Sequence, residues 1–289
     1  MNGGHTGALP QPGMERLGAL WPRRLPVVMA VLNRTPDSFS DGGRYLDDEA
    51  GLRHAEQLVG GGADIVDIGG ESTRPGAAPV AAAEEQRRVV PMVAELRRRH
   101  PGLVISVDTS KPEVAAAALE AGADLVNDVS AAGDGRMLEL VARRGAAIVL
   151  MHMRGTPATM QSDTGYRDVV AEVRDFLARR AAAAVAAGIP PDRVWVDPGI
   201  GFGKDVDGNL RLLAALPELA GLGHPVVVGA SRKSFLGRLT GAGVDGRLAG
   251  SLAALIPAVG LERAVVRVHD PEPTLHFLEV ACRLREATT

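Results

Sequence analysis

Residues 61–76, GGADIVDIGGESTRPG, decide the fold that we predict for this chain. Within this stretch, residues 64–69 form a short β-branched run bounded by glycines, which is typical of a buried strand. An acid, two hydroxyls and a guanidinium follow directly after the run. Barrels of parallel strands carry their active sites just past the carboxyl ends of the strands, so the stretch predicts a strand and part of a site.

The same plan recurs along the chain. Eight short apolar runs predict strands at 27–32, 64–69, 104–108, 124–127, 147–152, 194–197, 225–229 and 264–268. Between them, alanine-rich segments with helical periodicity lie at 48–59, 82–99, 112–121, 135–143, 166–187, 208–220, 248–259 and 271–286. Strand and helix therefore alternate eight times. This pattern predicts an α/β fold, a single (β/α)8 TIM barrel with its active site at the C-terminal ends of the strands.

Local signals support these boundaries. Ser110 and Glu113 have the spacing of a capping box at one helix start. Glycines end several helices shortly before the next strand, namely Gly62, Gly122, Gly145 and Gly188. A doubly wound sheet is the rival fold, but it commonly has GxGxxG after its first strand, where this chain has NRTPDSFSDGG.

Composition restricts the domain organisation and the partners. The first 13 residues are rich in Gly and Pro and lack a signal-peptide pattern, so we expect a flexible N-terminal tail followed by one domain over residues 14–289. A net charge of -3 gives no basic field for nucleic acid, and no apolar run reaches the length of a membrane span. With Cys282 as the single cysteine, no internal disulfide can form, which fits a cytoplasmic protein that acts on small molecules.

Polar residues follow every predicted strand, and in a barrel they would share one pocket. They are Asn33 with Asp37, the run 71–74, Asp108 with Thr109, Asn127 with Asp128, His152, Asp197, the run 231–233, and Arg267 with His269. Singly, such residues often only cap the next helix. Together they offer two kinds of chemistry. One set suits the N–C–N edge of a planar heterocycle (Asp108, Asn127, Asp197), and the other suits an anion (Arg74, Arg232, Lys233, Arg267, His269).

One tempting motif fails. The segment 199–205, GIGFGKD, resembles a phosphate loop, but its spacing is short and Asp205 follows Lys204 where a hydroxyl is needed.

Several long motifs closely resemble the dihydropteroate synthase family. They are LNRTPDSFSDGG, GADIVDIGGESTRPG, SVDT, LVNDVS, LMHMRGTPATMQ, DPGIGFGK, GASRKSFLG and VRVHD, and they cover the chain from about residue 26 to its end. The resemblance implies a transferase of folate biosynthesis, inhibited by sulfonamides. It would condense 6-hydroxymethyl-7,8-dihydropterin diphosphate with 4-aminobenzoate, by dissociative loss of diphosphate and attack of the amine. It also implies magnesium and a homodimer.

The resemblance also assigns roles to residues. It implies that the pterin is read by the catalytic set Asp108, Asn127, Asp197 and Lys233. Asn33 would bind magnesium, beside a diphosphate subsite with Arg267 and His269. The 4-aminobenzoate site would include Thr73, Arg74, Pro75, Phe202 and Ser234, and further substrate contacts would come from Asp37 and Arg232.

The chain departs from the family at Arg34, where the family usually carries a small aliphatic residue. Arg34 could face solvent or pair with Asp37, or it could contact an anionic substrate when the first loop closes. Alternatives to the synthase also stay open at this point: a pterin-dependent methyltransferase domain, a non-catalytic or sulfonamide-insensitive paralogue, or a barrel aldolase with Lys233 as a Schiff-base amine.

Overall fold

The computed structural model describes residues 12–34, 44–73 and 76–288. The expected flexible tail, residues 1–13, lies almost wholly outside these ranges, so its flexibility stays a prediction. Helix α1 begins at Pro12, inside that tail.

Eight parallel strands close into a barrel, each hydrogen-bonded to the next, and β8 returns to β1. They are β1 (Val27–Asn33), β2 (Ile65–Gly69), β3 (Val104–Asp108), β4 (Leu125–Asp128), β5 (Ala147–Met151), β6 (Val194–Asp197), β7 (Val226–Val228) and β8 (Ala264–Val268). The predicted α/β class and the (β/α)8 barrel are confirmed.

Eleven α-helices lie in the described ranges. They are α1 (Pro12–Gly18), α2 (Arg44–Gly60), α3 (Ala82–Arg99), α4 (Pro112–Ala121), α5 (Arg136–Arg144), α6 (Val169–Ala186), α7 (Val206–Ala214), α8 (Leu216–Ala220), α9 (Ser234–Thr240), α10 (Leu248–Ala253) and α11 (Pro271–Glu286). The sequence predicted neither α1 nor α9, and its single helix at 208–220 is divided into α7 and α8. None of these helices combines the length and the apolar character that a membrane span needs.

The helix ends follow the glycine signals but not the predicted capping box. Gly62, Gly122, Gly145 and Gly188 all have positive φ, the conformation that ends a helix at little cost for glycine. The N-cap of α4 is Lys111, with no side-chain cap hydrogen bond. The capping box of Ser110 and Glu113 is therefore wrong, because the helix begins one residue later than that motif requires.

An apolar cluster closes the N-terminal end of the barrel. Leu17 and Leu20 of the α1 segment pack there against inward-facing strand residues such as Val104 and Trp195. The Trp21 and Trp195 rings meet edge to face, with centroids 6.4 Å apart. Because side chains alternate between the two faces of a strand, residues two positions further along each strand also point into the barrel, one layer higher.

This higher layer is polar. Asp67 stands two residues after Ile65, Ser106 after Val104, Asn127 after Leu125, and Arg267 after Val265. A barrel interior that is apolar at one end and charged at the other places the functional groups toward the C-terminal rim.

Candidate active site

A pocket opens at the C-terminal rim. Twelve residues line it: Thr73, Asp108, Asn127, Val129, Met151, Asp197, Gly199, Ile200, Phe202, Gly229, Lys233 and Arg267. All four residues predicted as catalytic are among them, together with Thr73, Phe202 and Arg267 of the predicted substrate contacts. The structure therefore brings together residues that lie more than 120 positions apart in the sequence.

Strand register explains the grouping on one side of the pocket. Asn33 pairs with Gly69, Gly69 with Asp108, and Asp108 with Asn127, so these four residues form one row across β1 to β4. Asp197 ends β6 and pairs with Met151 of β5. The row carries oxygen and amide groups, while Gly69 contributes no side chain and leaves room between Asn33 and Asp108.

A buried charge cluster lies beneath the pocket. Arg267 donates through Nε to Asp67 Oδ2 at 2.7 Å and through Nη2 to Asp108 Oδ2 at 2.7 Å. Asn127 Nδ2 donates to the same oxygen of Asp67 at 2.9 Å. The other oxygen, Asp67 Oδ1, has no hydrogen-bond partner among the described residues. One guanidinium thus orients two carboxylates and, through Asp67, the side chain of Asn127.

Asp108 ionises at an unusual pH for a carboxyl group. Burial raises its pKa to about 7, a rise that Arg267 opposes and Asp67 reinforces. Near neutral pH, Asp108 therefore exists both as a proton donor and as an acceptor.

The opposite wall is formed by the β6–α7 loop. Gly199 N–H donates to Asp197 Oδ1 at 2.7 Å, and burial raises the pKa of this carboxyl. The Lys233 ammonium lies 4.0 Å from the centre of the Phe202 ring, a cation–π distance. An acceptor, a cation and an aromatic face consequently meet within this wall.

Other predicted residues lie around the pocket rather than in its lining. Arg232 has φ +58° and pairs with Asp270, Nη2 to Oδ1 at 2.5 Å. Ser234 is exposed at the start of α9. Asn33 is half-buried at the end of β1. Asp37, Arg74 and Pro75 fall outside the described residues, so their placement stays a prediction.

His269 stands beside Ser231. Its Nδ1 lies 3.1 Å from Ser231 Oγ, and its backbone N–H donates to the same oxygen at 3.3 Å. Burial lowers the pKa of His269 to about 4, so the ring is neutral at pH 7. The sequence did not indicate this Ser–His contact. Ser231 does not belong to the pocket lining given above, and its oxygen accepts from the backbone of His269, one residue past β8.

Arg34 points away from solvent. Its side chain is only 7% exposed and pairs with Asp48 in the first turns of α2. A Cβ on Gly51, one turn further along α2, would collide with the guanidinium. The solvent-facing interpretation of Arg34 is therefore wrong. The pairing with Asp37 lies outside the described residues.

Two residues important to the site were missed by sequence reasoning. Asp67 sits within a strand rather than past its end, and only counting alternate inward positions from Ile65 would have revealed it. Lys204 was part of a failed phosphate loop and of the family motif DPGIGFGK, and neither gave it a role. It is 2% exposed and lies under the pocket wall.

Comparisons with known proteins agree with this geometry. The sequence profile of the family described as "Pterin binding enzyme" matches residues 29–269. Dihydropteroate synthase of Escherichia coli K12 is 44% identical over 255 residues, covering 88% of this chain and 90% of that protein. The enzyme of Neisseria meningitidis serogroup B is 47% identical over 262 residues, covering 88% and 91%.

Solved structures give the same result. Xanthomonas albilineans dihydropteroate synthase with 4-aminobenzoic acid has a TM-score of 0.84 and 46% identity, covering 90% of this chain and 93% of that one. The same enzyme in complex with 7,8-dihydropteroate has a TM-score of 0.81 and 44% identity, covering 90% and 94%. Yersinia pestis dihydropteroate synthase in a sulfonamide drug complex has a TM-score of 0.85 and 38% identity, covering 99% and 100%. This chain belongs to the pterin-binding enzyme family and, within it, to the dihydropteroate synthases.

Proposed function

We propose that this chain joins 6-hydroxymethyl-7,8-dihydropterin diphosphate to 4-aminobenzoate, releasing diphosphate and forming 7,8-dihydropteroate. The observation that carries this proposal is one pocket that combines three acceptors, Asp108, Asn127 and Asp197, with the ammonium of Lys233. A reduced pterin presents N–H donors along one edge and a carbonyl beside them. The two kinds of pocket group complement those two kinds of ligand atom.

Pre-ordering of the acceptors supports pterin recognition. Arg267 and Asp67 fix Asp108 and Asn127 before any ligand binds, and the Gly199 amide fixes Asp197. Groups that are already oriented lose little entropy on binding and need little rearrangement during the reaction.

The adjacent wall suits the second substrate. Phe202 presents a ring face beside Lys233, and Thr73 adds a hydroxyl at the pocket edge. We propose that they accept the ring and the carboxylate of 4-aminobenzoate, together with Arg74, Pro75 and Ser234. Sulfonamides, which resemble 4-aminobenzoate in shape, would then compete for this subsite.

The reaction needs no covalent nucleophile. Electron donation from the dihydropterin ring supports positive charge on its exocyclic methylene as diphosphate leaves, and the amine then forms the new C–N bond and loses a proton. The protein's work is to hold the pterin, stabilise the leaving anion and position the amine. Arg267, Arg232 and His269 lie toward the side from which we propose that diphosphate departs.

The residues fit a magnesium ion whose ligands come mainly from the substrate. Among the described residues no three His, Cys, Asp or Glu side chains are grouped to hold a metal. Asn33, half-buried at the end of β1, offers one neutral oxygen, with Asp37 as a predicted neighbour. Magnesium commonly keeps waters and binds substrate phosphates through few protein oxygens. When bound, it would neutralise charge on the leaving diphosphate.

We also propose a homodimer in the cytoplasm. Exposed apolar side chains support association: Leu239, Val244, Leu248 and Ile256 follow one another along the α9–α10 segment and its continuation. A reduced pterin substrate is oxidation-sensitive, which suits a reducing compartment.

Product formation tests the central proposal. The full chain is incubated with dihydropterin diphosphate, 4-aminobenzoate and Mg²⁺, and dihydropteroate and diphosphate are both quantified. We expect equal amounts of the two products, loss of both with a chelator, and competition by a sulfonamide against 4-aminobenzoate. Pterin binding in calorimetry without turnover would instead identify a non-catalytic binder.

A further inference from the structure

Lysine is rare in this chain and occurs only in loops at the rim. The sequence has 29 arginines but three lysines, Lys111, Lys204 and Lys233. They follow β3, β6 and β7 respectively. Lys204 is the most buried of the three, at 2% exposure, and the function proposed above gives it no role.

The Lys204 ammonium lies in a cage of backbone carbonyl oxygens. Its Nζ donates to the carbonyls of Phe202 at 2.8 Å, Gly199 at 3.0 Å and His152 at 3.3 Å. His152 Nδ1 lies 3.1 Å away as a fourth partner. No carboxylate of the described residues lies within ion-pair distance of Lys204. An ammonium has three donors that can diverge toward several carbonyls, whereas a planar guanidinium cannot converge on such a point.

Two of the three carbonyls, those of Gly199 and Phe202, belong to the loop that forms the pocket wall. Gly199, Gly201 and Gly203 have φ of +68°, +85° and +64°, so alternate residues are left-handed. This winding turns the carbonyls of Gly199 and Phe202 inward to Lys204. It also turns the Gly199 amide to Asp197, at 2.7 Å, and the Phe202 ring to Lys233.

The cage is supported from outside. Tyr166 hydroxyl donates to the Gly203 carbonyl at 3.0 Å, and Asn209 Nδ2 donates to the Lys204 carbonyl at 3.3 Å. The His152 ring packs edge to face on Phe176, with centroids 4.9 Å apart. These contacts hold the shell, but only Lys204 fills its centre.

We propose that Lys204 is a positioning residue. Its ammonium holds the 199–203 loop in its left-handed conformation and thereby positions Asp197 and Phe202 for the two substrates. The identity of the two substrates rests on the proposed function, whereas the hydrogen bonds around Lys204 do not. The ammonium acts in two ways. It holds the loop's carbonyls, and its charge makes the nearby Asp197 carboxyl easier to ionise.

The electrostatic surroundings of Lys204 give the proposal a specific signature. Besides His152, the charged groups that act on it are Asp197, Lys233 and Arg154, and burial lowers its pKa to about 7. Burial also lowers the pKa of His152 to about 3, so this ring stays neutral and its Nδ1 can accept a hydrogen bond from the ammonium. Removing the Lys204 charge should raise the pKa of Asp197 further.

The test is Lys204→Met, which keeps an unbranched apolar side chain and removes the charge and all three hydrogen-bond donors. We expect kcat/KM for both substrates to fall about 100-fold. We also expect the acid limb of the kcat/KM profile to move up by about one pH unit, because Asp197 becomes harder to ionise. Lys204→Arg should not restore the rate. A merely structural role would lower the melting temperature without moving the acid limb.

Arg97→Met is the matched control, since Arg97 also holds backbone carbonyls but at the opposite end of the barrel. It should lower the melting temperature and leave both kcat/KM and its pH profile unchanged. A Lys204→Met enzyme with the wild-type rate and the wild-type acid limb overturns the proposal.

A second measurement needs no turnover and leaves Lys204 in place. With ¹³Cε-labelled lysine the chain should give three signals, and Lys111→Arg removes one of them. The Lys233 signal is identified by the ring current of Phe202. We expect the remaining signal, from Lys204, to titrate far below 10.5 and its ammonium protons to exchange slowly with water. Titration near 10.5 with fast exchange overturns the cage, whereas a wild-type enzyme that makes no dihydropteroate overturns only the proposed function.

Discussion

Two cations hold backbone carbonyls at opposite ends of the barrel, and their surroundings differ. At the closed end, Arg97 donates to the carbonyls of Pro101 and Leu103, both at 2.8 Å, and to Asp124 Oδ2 at 2.6 Å. At the rim, Lys204 donates to carbonyls at similar distances but has no carboxylate partner among the described residues. The closed end pairs its buried charge, while the rim keeps one partly uncompensated.

The acidic side chains at the rim are also incompletely compensated. One oxygen of Asp67 has no hydrogen-bond partner in the part of the chain that the structure describes, and Asp108 has a pKa of about 7. Asp124 at the closed end receives Arg16 and Arg97 together with the Ile105 amide. Groups held in this incompletely satisfied state cost stability, and such groups cluster where ligands bind. The comparison therefore assigns stability to one end of the barrel and activity to the other.

Arg97→Met should have the largest effect, and on stability alone. Removing one partner from a buried ion pair leaves an under-compensated charge, here Asp124, at a cost of about 3–5 kcal/mol. Chemical denaturation should show this loss in the free energy of unfolding, with kcat/KM unchanged below the melting temperature. The neighbouring Arg98→Met is the control, because Arg98 is exposed on the same helix and pairs with the nearby Glu95. A large loss of activity in folded Arg97→Met would break the comparison.

Asp197→Ala should show the reciprocal behaviour. Since burial raises the pKa of this carboxyl, its charge is not a source of stability, and we expect little change in melting temperature. The unpaired donors of the bound pterin should cost about 2–4 kcal/mol of transition-state binding. Steady-state kcat/KM measures this loss. A variant that retains nearly wild-type kcat/KM would remove Asp197 from the pterin site.

Asp67→Asn should lower the pH at which Asp108 titrates, without abolishing activity. Both hydrogen bonds to Asp67 end on Oδ2, so an asparagine oxygen at that position keeps them while the charge is lost. Asp67 raises the pKa of Asp108, so that pKa should fall. A carboxyl-carbon NMR titration should show Asp108 titrating near 7 in the wild type and about one pH unit lower in the variant.

The stability of the wild type has a definite pH dependence from the same group. Asp108 has a pKa of about 7 in the folded protein and 3.8 ordinarily, so the folded state binds more protons between these values. Its contribution to stability therefore decreases as pH rises from about 4 to about 7. Unfolding free energies measured across this range in wild type and Asp67→Asn should show a smaller decrease in the variant. Equal slopes would remove Asp67 from the titration of Asp108.

Arg34→Val should have the smallest effect. It removes the ion pair with Asp48. Because the Asp48 side chain is 60% exposed, solvent screens this pair, and we expect it to contribute about 1 kcal/mol or less. Thermal unfolding should show a fall of a few degrees, and Gly51→Ala, which displaces the same guanidinium, should show a similar one. If KM for an anionic substrate rises about tenfold instead, Arg34 belongs to the rim in function as well.

The barrel was predictable because its signals are local and repeated. The predicted strands 104–108, 194–197 and 264–268 coincide with the observed ones, and so do the helices 82–99, 112–121 and 271–286. Alternating apolar runs and glycine stops encode these elements directly. The short α9 was missed because it begins within the Ser231–Ser234 stretch, whose polar residues had been interpreted as a loop.

The site was predictable where function follows strand ends and unpredictable where it depends on burial. Asp108, Asn127, Asp197 and Lys233 stand at those ends, and the register brings them together. Asp67 and Lys204 act from beneath the pocket, and no local pattern distinguishes a buried charge from a solvated one. The direction of Arg34 depended on a glycine 17 residues later, a relation that only packing reveals.

The pair of tryptophans at the closed end makes that end optically distinct. Trp21 and Trp195 are the only tryptophans in the chain, and their rings are in contact. Intrinsic fluorescence therefore reports on the floor of the barrel, whereas a dihydropterin, with its own emission, reports on the rim. Trp195 precedes Asp197 by two residues on β6. A change in tryptophan emission when ligand binds, beyond energy transfer to the pterin, would thus record a displacement carried along a single strand from one end of the molecule to the other.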